Sequence, residues 1–373
     1  MSVSIKEITT KKDLRKFIRL PHKVHTGDNA WVPGLDMDEM NTLSWDINPA
    51  FEHCQARYWM AYKDGKPVGR VAAINNPLHA ETWGQKYLRF GWIDFTDDPA
   101  VSDALMGAVE TWAKELKLTA VHGPLGFTDL DREGMLVEGF DELATLATRH
   151  DPPYYSKHLE RMGYGKDVDW IEHLVKLPDE LPEKVTRVAD IVRRRYKLTV
   201  LDAKSKKELL PYAPELFEVI NETYSHLYGV VHLTDKQRKS YVEQYFGFVI
   251  PEFVPVILDE NGRMVAFTIS MPSLSRALQK GKGRLIPFGW AHLLLALNKP
   301  DRVDTYLGAV RRELQGRGVN ALMMVSLFEA YKKHGVKTVH ANPQLETNRY
   351  VWEQWEYFDA RQHKRRRIYI KHF

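Results

Sequence analysis

The sequence is poor in the features that mark secreted, zinc-binding and membrane-spanning proteins. Its 373 residues include one cysteine, Cys54, which excludes an intramolecular disulfide and a cysteine-built zinc site. The longest apolar run, residues 288–297, is far shorter than the roughly 20 residues that span a bilayer. No N-terminal segment combines a basic start, an apolar core and a small-residue cleavage site. We therefore predict a cytoplasmic protein without transmembrane helices and without a metal.

The chain also lacks a strong charge of either sign. Its 53 Lys and Arg residues against 49 Asp and Glu residues leave a net charge of +4. This balance is too mild to indicate a nucleic-acid partner, but it suits an anionic ligand or an acidic membrane surface. A hydrophobic content of 44% and this length are typical of a globular protein with two domains or one large one.

What the chain does contain is one order of elements that occurs twice: hairpin, strand, helix, strand, helix, strand. Asp64-Gly65 forms the hairpin turn of the first half, and Asn261-Gly262 forms that of the second. Strands are predicted at 89–95 and 304–310, amphipathic helices at 104–116 and 322–331, strands at 119–122 and 337–340, and closing strands near 170–175 and 366–370.

This order predicts an α/β protein with a mixed sheet, partly antiparallel and partly parallel. Residues 177–183 contain two prolines and several acids, which is typical of a linker. We therefore predict two domains, 1–177 and 178–373.

A glycine-bearing loop, residues 315–320, joins a predicted strand at 302–310 to a helix expected to begin near Ala321. A helix N-terminus offers free backbone N–H groups and the positive end of the helix dipole, which together favour a pyrophosphate. Glycine lets the backbone approach the phosphate oxygens, and an arginine can add a contact. A simple capping turn is the alternative. The predicted phosphate-binding residues are Gln315, Gly316, Arg317, Gly318, Val319 and Asn320, with Val310 at the end of the strand.

The order strand, Q-x-x-G-x-(G/A), helix resembles the coenzyme A loop of the GNAT acyltransferases, except that Asn320 stands where the family has Gly or Ala. The repeat resembles a tandem pair of GNAT domains over nearly the whole chain. The loop at 96–100 of the first half is acidic and has no glycine, so only the second half is expected to bind the cofactor. Several local strings also resemble a group of bacterial tandem-GNAT proteins, and the size and superfamily resemble those of the bacterial ceramide synthases; the strings lie at 29–33, 69–71, 123–124, 151–155, 284–289 and 345–348.

The resemblance implies acyl-CoA as co-substrate and further site residues after the strand that ends at His340. Asn348 matches an Asn that the family places beside the coenzyme A arm. Trp355 replaces the family's Tyr, which protonates the leaving thiolate. Either Tyr350, Tyr357 or water takes that role, or the thiolate leaves unassisted.

Two residues are candidates for the base that deprotonates the acceptor amine. Glu346 ranks ahead of His340 because carboxylate bases are common in this superfamily. A structural role is the alternative for both, since a His at a strand end often makes hydrogen bonds and Glu346 could cap a helix. Tyr224, His226 and Tyr228 are predicted to shape the acceptor pocket, although the rim of an ordinary amphipathic helix explains them equally well.

Two basic stretches need separate interpretation. Residues 280–284 are rich in Lys and Arg and lead into the apolar segment 285–297, which is the pattern of a segment that lies on a membrane surface. A helix buried between the domains is the preferred alternative. Residues 365–367, three arginines, are interpreted as the solvated face of a terminal strand and not as a nucleic-acid patch.

The leading hypothesis is an acyl-CoA-dependent N-acyltransferase whose acceptor is an amine, including a long-chain or lipid amine. The alternative is a non-catalytic GNAT-fold protein that binds or senses a ligand. Peripheral contact with the inner face of a membrane is a further expectation, and an interfacial protein without enzymatic function is a third hypothesis. The sequence does not identify the oligomeric state.

Overall fold

The computed structural model describes residues 2–373, apart from the side chain of Tyr350. Thirteen strands form one continuous mixed sheet in the order β1-β2-β3-β4-β5-β13-β7-β12-β11-β10-β9-β8, with β6 paired to β13. The strands are β1 (Val3–Glu7), β2 (Gln55–Lys63), β3 (Lys66–Asn75), β4 (Tyr87–Phe95), β5 (Ala120–Gly123), β6 (Met135–Glu138), β7 (Gly165–Lys176), β8 (Thr199–Val200), β9 (Val256–Leu258), β10 (Met264–Pro272), β11 (Arg302–Val310), β12 (Thr338–Leu345) and β13 (Ala360–His372).

Helices cover both faces of this sheet. They are α1 (Lys11–Arg19), α2 (Pro21–Val24), α3 (Asp36–Leu43), α4 (Pro77–Trp83), α5 (Pro99–Glu115), α6 (Tyr154–Arg161), α7 (Glu183–Arg195), α8 (Lys206–Leu209), α9 (Ala213–Tyr224), α10 (Asp235–Tyr245), α11 (Ser275–Gly281), α12 (Gly289–Asn298), α13 (Val319–His334) and α14 (Arg349–Trp352). The predicted mixed α/β architecture is confirmed, because the pairs β4–β5 and β11–β12 are parallel and the other pairs are antiparallel.

Local sequence explains where the main elements begin. The hairpin between β2 and β3 turns through Asp64 and Gly65, whose φ angles of 52° and 72° suit a type I′ turn. Helix α5 starts at Asp98, whose side chain accepts a hydrogen bond from the N–H of Ala100, and Pro99 fits the first helical position. Helix α13 differs, because Gly318 precedes it and provides no side-chain cap.

The last strands of the two halves are exchanged. Strand β7, from the first half, lies between β13 and β12, which both come from the second half. Strand β13, the last element of the chain, lies between β5 and β7 of the first half. The two halves therefore share the centre of one sheet. The division at residue 177 stays a prediction about chain segments, each of which supplies a strand to the other.

The interpretation of residues 365–367 as a solvated strand face is wrong. Strand β13 is central, and the side chain of Arg366 is fully buried, where it donates hydrogen bonds to Glu172 and to the carbonyl oxygen of Arg149. Arg365 and Arg367 are half-buried and both pair with Asp169. The sequence shows only charged residues in a row, whereas the exchange places them against acidic partners from β7.

The interpretation of residues 285–297 as a helix buried between the domains is also wrong. Leu293 packs against the core beside Leu35 and Leu274, but Ile286 and Phe288 are 81% and 70% exposed. Helix α12 therefore packs against the core with one face, and its other face is exposed to solvent. Among the described residues, no helix combines the length and apolar character needed to cross a bilayer.

We predict that Arg366→Met lowers the free energy of unfolding by about 3–5 kcal/mol, because it leaves the Glu172 carboxylate buried without its main partner. Burial alone would raise the pKa of Glu172, but the neighbouring Arg366 and Lys364 outweigh it and lower that pKa to about 2. The wild-type pair therefore stabilises the fold above about pH 5, and this contribution is lost as the pH falls towards 2. Denaturant unfolding between pH 3 and 7, as approximate limits, measures both effects.

The matched control is the double variant Arg366→Met/Glu172→Leu, which removes both charges and is expected to recover most of the lost stability. If the single variant is as stable as wild type at neutral pH, the central ion pair does not hold the exchanged strands together.

Candidate functional site

The site begins where β11 and β12 separate. The two strands pair in register from Arg302 with Thr338 to Thr305 with Ala341 and then diverge, although each continues for several residues. A cavity of about 1370 Å³ opens at this divergence and lies between the strands, the N-terminus of α13, the helices α9 and α10, and a loop of the first half. This volume exceeds the roughly 300–1,000 Å³ of an ordinary ligand pocket.

The predicted phosphate cradle forms one wall of the cavity. Gly316 and Gly318 have φ angles of 70° and 83°, which favour glycine. A Cβ on Gly318 would lie 2.8 Å from Val188 of α7, so glycine also lets the loop approach that helix closely. Within residues 2–373, the N–H groups of Gly318, Val319 and Asn320 donate no hydrogen bond to the protein. They are free at the positive end of α13, which is a site for an anion.

The other cradle residues divide into two groups. The side chain of Gln315 donates to the carbonyl oxygen of Val310 (2.9 Å) and closes the loop, and both residues line the cavity. Arg317 does not line the cavity, because its guanidinium lies over the ring of Tyr196 at 5.9 Å. Val319 and Asn320 line the cavity, and Asn320 is exposed.

The side chains expected beside the coenzyme A arm also meet at the cavity. Asn348 precedes α14 and makes no side-chain capping bond, so its amide remains available. Trp355 lines the cavity and donates its indole N–H to Gln344 (3.2 Å). Tyr357 lies on the same wall, where its hydroxyl accepts from Lys184 (3.0 Å). The prediction for Tyr350 concerns a side chain outside the described set.

Tyr224, at the end of α9, contacts the backbone of β11. Its hydroxyl donates to the carbonyl oxygen of Gly308 (2.9 Å) and accepts from the N–H of the same residue (3.2 Å). Burial raises the pKa of Tyr224 to about 12, so the hydroxyl is neutral at ordinary pH. A residue that the sequence predicts for the acceptor pocket thus contacts β11 at Gly308.

His226 and Tyr228 extend the same wall towards the first half. His226 is exposed and lines the cavity. The Tyr228 hydroxyl donates to Asp167 and lies 3.1 Å from Nδ1 of the buried His122. Burial, and then the Asp167 carboxylate, raises the pKa of Tyr228. Tyr228 therefore both lines the cavity and anchors the α9–α10 loop to the first half.

Glu346 does not line the cavity. Its carboxylate pairs with Lys166 (2.5 Å) and with Arg365 (2.9 Å). Two cations thus hold this carboxylate outside the cavity. Its role as a base stays a prediction.

His340 is also outside the cavity wall. It is buried on β12, packs edge-on against His363 with the ring centres 5.3 Å apart, and has both ring nitrogens without a hydrogen-bond partner in the described chain. Burial, followed by the charge of Lys364, lowers the pKa of His340 to about 3. The structure thus brings the cradle (except Arg317), Asn348 and the predicted acceptor residues Tyr224, His226 and Tyr228 to one cavity. It brings neither His340 nor Glu346 to them.

Sequence reasoning missed an acidic loop from the first half that faces the cavity. Asp129, Asp131 and Glu133 all line it. Asp131 is engaged by the N–H groups of Phe127 and Thr128, and its burial raises its pKa to about 6. Burial also raises the pKa of Asp129 and, more strongly, that of Glu133. The alternation of acids at every second position after Gly123-Pro124 was the available signal, but only the three-dimensional fold shows what it faces.

The equivalent strand divergence in the first half is covered by the chain itself, and the cavity beside β4 measures only about 50 Å³. After β5 the chain crosses to β4, where the N–H of Leu125 donates to the carbonyl oxygen of Phe90 (2.8 Å). Helix α6 then covers the end of β4, since the Tyr155 hydroxyl accepts from the N–H of Phe95 (2.9 Å) and His158 binds Asp97 (2.9 Å). The place that corresponds to the cradle is thus occupied by side chains.

Comparison with known proteins agrees with this geometry. The structure superposes on a tandem GNAT protein from the clavulanic acid biosynthesis pathway with a TM-score of 0.58 at 13% identity, covering 100% of this chain and 98% of that one. A GCN5-related N-acetyltransferase from Sphaerobacter thermophilus gives a TM-score of 0.54 at 11% identity, with 99% and 95% covered. The chain has the tandem GNAT fold. The predicted fold is confirmed, and these identities carry the fold alone.

Two sequence relatives align with nearly the whole of this chain. It is 29% identical to Protein YghO of Escherichia coli K12, covering 98% of this chain and 95% of the relative. It is 26% identical to the bacterial ceramide synthase of Caulobacter vibrioides, covering 99% and 97%. No protein-family model matches the chain.

We predict that Tyr228→Phe lowers the free energy of unfolding by about 1–3 kcal/mol, because Asp167 and the buried His122 lose their shared partner. Chemical denaturation measures the change. The control is Tyr357→Phe, whose side chain is 49% exposed and is expected to change stability by less than about 0.5 kcal/mol. Equal effects of the two substitutions would argue against an anchoring role for Tyr228.

Proposed function

We propose that this protein is an acyl-CoA-dependent N-acyltransferase that moves an acyl group from a coenzyme A thioester to an amine. One observation carries the proposal. Of the two strand divergences, the one beside an uncapped, glycine-led helix opens into a large cavity. The free N–H groups of Gly318, Val319 and Asn320 would bind the pyrophosphate, and the pantetheine arm would follow β11 towards Gly308.

The chemistry is direct transfer. The lone pair of a neutral amine attacks the thioester carbonyl carbon, so that a C–N bond forms, the C–S bond breaks and the thiolate leaves. The proton lost by the nitrogen passes to a base, and the thiolate takes a proton from water or a nearby hydroxyl. A backbone N–H of β11 would stabilise the negative charge that develops on the carbonyl oxygen.

We assign the acceptor end of the cavity to the acidic loop. Three carboxyl groups line this end, and Asp129 and Glu133 remain available because Asp131 accepts from backbone N–H groups. Asp129 also lies close enough for its charge to act on Tyr224, which contacts Gly308. An ammonium group would be attracted to this end and would lose its proton to a carboxylate. A raised pKa makes the Glu133 carboxylate a stronger base than an exposed one. Glu133 is therefore the base we propose, ahead of Glu346, whose charge is already compensated.

The acyl chain or acceptor is proposed to be long and apolar. Beyond the strands, the cavity wall consists mainly of hydrophobic side chains of the second-half core, which are Leu209, Leu216, Phe217, Val242, Phe246, Val249, Val254, Val256 and Met271. An acetyl group would leave most of this surface in contact with water, whereas a fatty chain would cover it. The similarity to a bacterial ceramide synthase supports a lipid amine as acceptor, with peripheral contact to a membrane.

A second candidate function is a non-catalytic module that binds acyl-CoA. Two observations favour it: Trp355 stands where the family has a proton donor, and the Glu346 carboxylate is held by two cations. This candidate predicts cofactor binding without release of free thiol in the presence of any amine.

We predict that Asn320→Asp weakens coenzyme A binding at least about tenfold, because a carboxylate at the first turn of α13 would repel the pyrophosphate. The same carboxylate lies at the positive end of the helix dipole, so the fold is expected to keep or gain stability. Titration calorimetry with free, acetyl- and palmitoyl-coenzyme A measures the affinity.

Asn320→Ser is the matched control, since it keeps the site neutral and is expected to bind nearly as well as wild type. A long-chain preference would support the lipid branch of the proposal. No binding of any of the three compounds by the wild-type protein would remove the proposed function.

We predict that Glu133→Gln lowers kcat/KM for amine acylation by about 10²–10⁴-fold while leaving coenzyme A affinity unchanged. Because the base acts when ionised, the wild-type rate should rise with pH through the raised pKa of Glu133, and the variant should lose this rise. Thiol release across a pH series measures both. The control is Glu356→Gln, an exposed carboxylate on the cavity wall. Equal losses in the two variants would refute the assignment.

A further inference from the structure

A row of large apolar side chains projects from one side of the second half. We call it the apolar ridge; it consists of Ile286, Phe288, Trp290, Leu294 and Leu295, which are between 49% and 81% exposed. Single exposed hydrophobic residues are ordinary, but five from one ten-residue stretch form a contiguous patch. Such patches mark surfaces that are covered by a partner or a membrane.

Trp290, Leu294 and Leu295 of the ridge lie on the outer face of α12, and Ile286 and Phe288 directly precede this helix. The inner face of α12 packs against the core. Gly289 and Leu293 are buried, and Ala296 and Leu297 pack partly against the core. These positions follow the spacing of one helix face, and Trp290 and Leu294 lie one turn apart on the other. Helix α12 is thus apolar on both sides, although only one side has protein to cover it.

The ridge is bordered by positive charge. Residues 275–299 contain five Lys and Arg residues and no Asp or Glu. Lys280 and Lys282 are exposed directly before the ridge, Lys299 is exposed directly after it, and the described chain gives these three no ion pair. Arg276 and Arg284 pair instead with Asp301 and Asp36. A tryptophan beside apolar side chains and a basic border is the composition of a segment that lies in a membrane interface.

The segment directly before the ridge is hydrogen-bonded to the cavity rim. The side chain of Gln279 donates to the carbonyl oxygens of Asn29 and Trp31 (both 2.8 Å), and the N–H of Asp36 donates to that of Gly283 (2.8 Å). A Cβ on Gly283 would lie 2.3 Å from the carbonyl oxygen of Gly34, so the two backbones meet closely. Gly34 and the adjoining Leu35 line the cavity. The segment before the ridge thus contacts residues that line the cavity or adjoin its wall.

We propose that the apolar ridge docks on an anionic lipid surface, with its side chains in the interface and the lysines and arginines against lipid phosphates. This names the surface behind the membrane contact and rests on the proposed function only for its purpose, which is to bring a lipid to the cavity. A second copy of the chain is the less favourable occupant. A twofold contact through the ridge would bring the unpaired lysines of the two copies close together, which is unfavourable.

Co-sedimentation of the full chain with vesicles tests the proposal. We expect binding to phosphatidylcholine vesicles that contain phosphatidylglycerol, weaker binding to phosphatidylcholine alone, and a fall in binding as salt rises. Phe288→Glu/Leu295→Glu should reduce binding at least roughly tenfold. Ile191→Glu, at a hydrophobic side chain on α7 that is 54% exposed, is the matched control and should bind as wild type does.

The electrostatic part has its own variants. Lys280→Gln/Lys282→Gln should weaken binding to the anionic vesicles by roughly 30-fold, whereas Lys207→Gln, an exposed lysine elsewhere, should not. Asn320→Asp should keep vesicle binding even though it loses coenzyme A, so failure of the docking surface and failure of the proposed chemistry are distinguishable.

Three results would overturn the proposal. The first is no vesicle binding by the wild-type protein, and the second is equal loss in the ridge variant and in Ile191→Glu. The third is a dimer in light scattering that Phe288→Glu/Leu295→Glu abolishes, since the ridge would then be covered by a second copy.

Discussion

The exchange of β7 and β13 is the constraint on which the rest of the molecule depends. Each half supplies the last strand of its own plan to the other, and the buried pair of Arg366 and Glu172 joins the two exchanged strands at the centre of the sheet. A buried ion pair adds little net stability, but breaking it is costly. It therefore favours one register between two strands that lie far apart in the sequence. The halves consequently cannot shift against each other without disrupting the middle of the sheet.

A fixed arrangement of the halves explains why one site exists where the repeat would allow two. Both halves contain a parallel strand pair that diverges, β4–β5 and β11–β12. In the first, the chain itself returns across β4 and α6 covers the strand end, with Tyr155 taking the N–H of Phe95 that a ligand would otherwise reach. In the second, the helix begins at glycine, and the space stays open. The duplicated element is then free to serve as a wall, and its acidic loop faces the open cavity.

This arrangement also sets what the sequence could predict. The hairpin turns, strand β11 and the glycine loop depend on local rules, and the sequence predicts all three within a few residues. Helix α13, for example, begins at Val319, close to the predicted Ala321. The predicted burial of residues 365–367 and 285–297 is wrong for a common reason. Burial depends on which distant strand or loop packs against a segment, and the local sequence does not show this. Asp129 and Glu133 were missed because they belong to the half without a cradle, and no local pattern shows that they cross to the other half's cavity.

The exchanged strands also explain the two ion pairs of Glu346. Lys166 lies on β7 and Arg365 on β13, and both bind Glu346 only because these strands are neighbours. Glu346 therefore lies outside the cavity, in two ion pairs. The acidic loop differs, because its carboxyl groups line the cavity and burial raises the pKa of Glu133. The position in the motif points to Glu346 as the base, whereas our proposal of Glu133 depends on its place on the cavity wall.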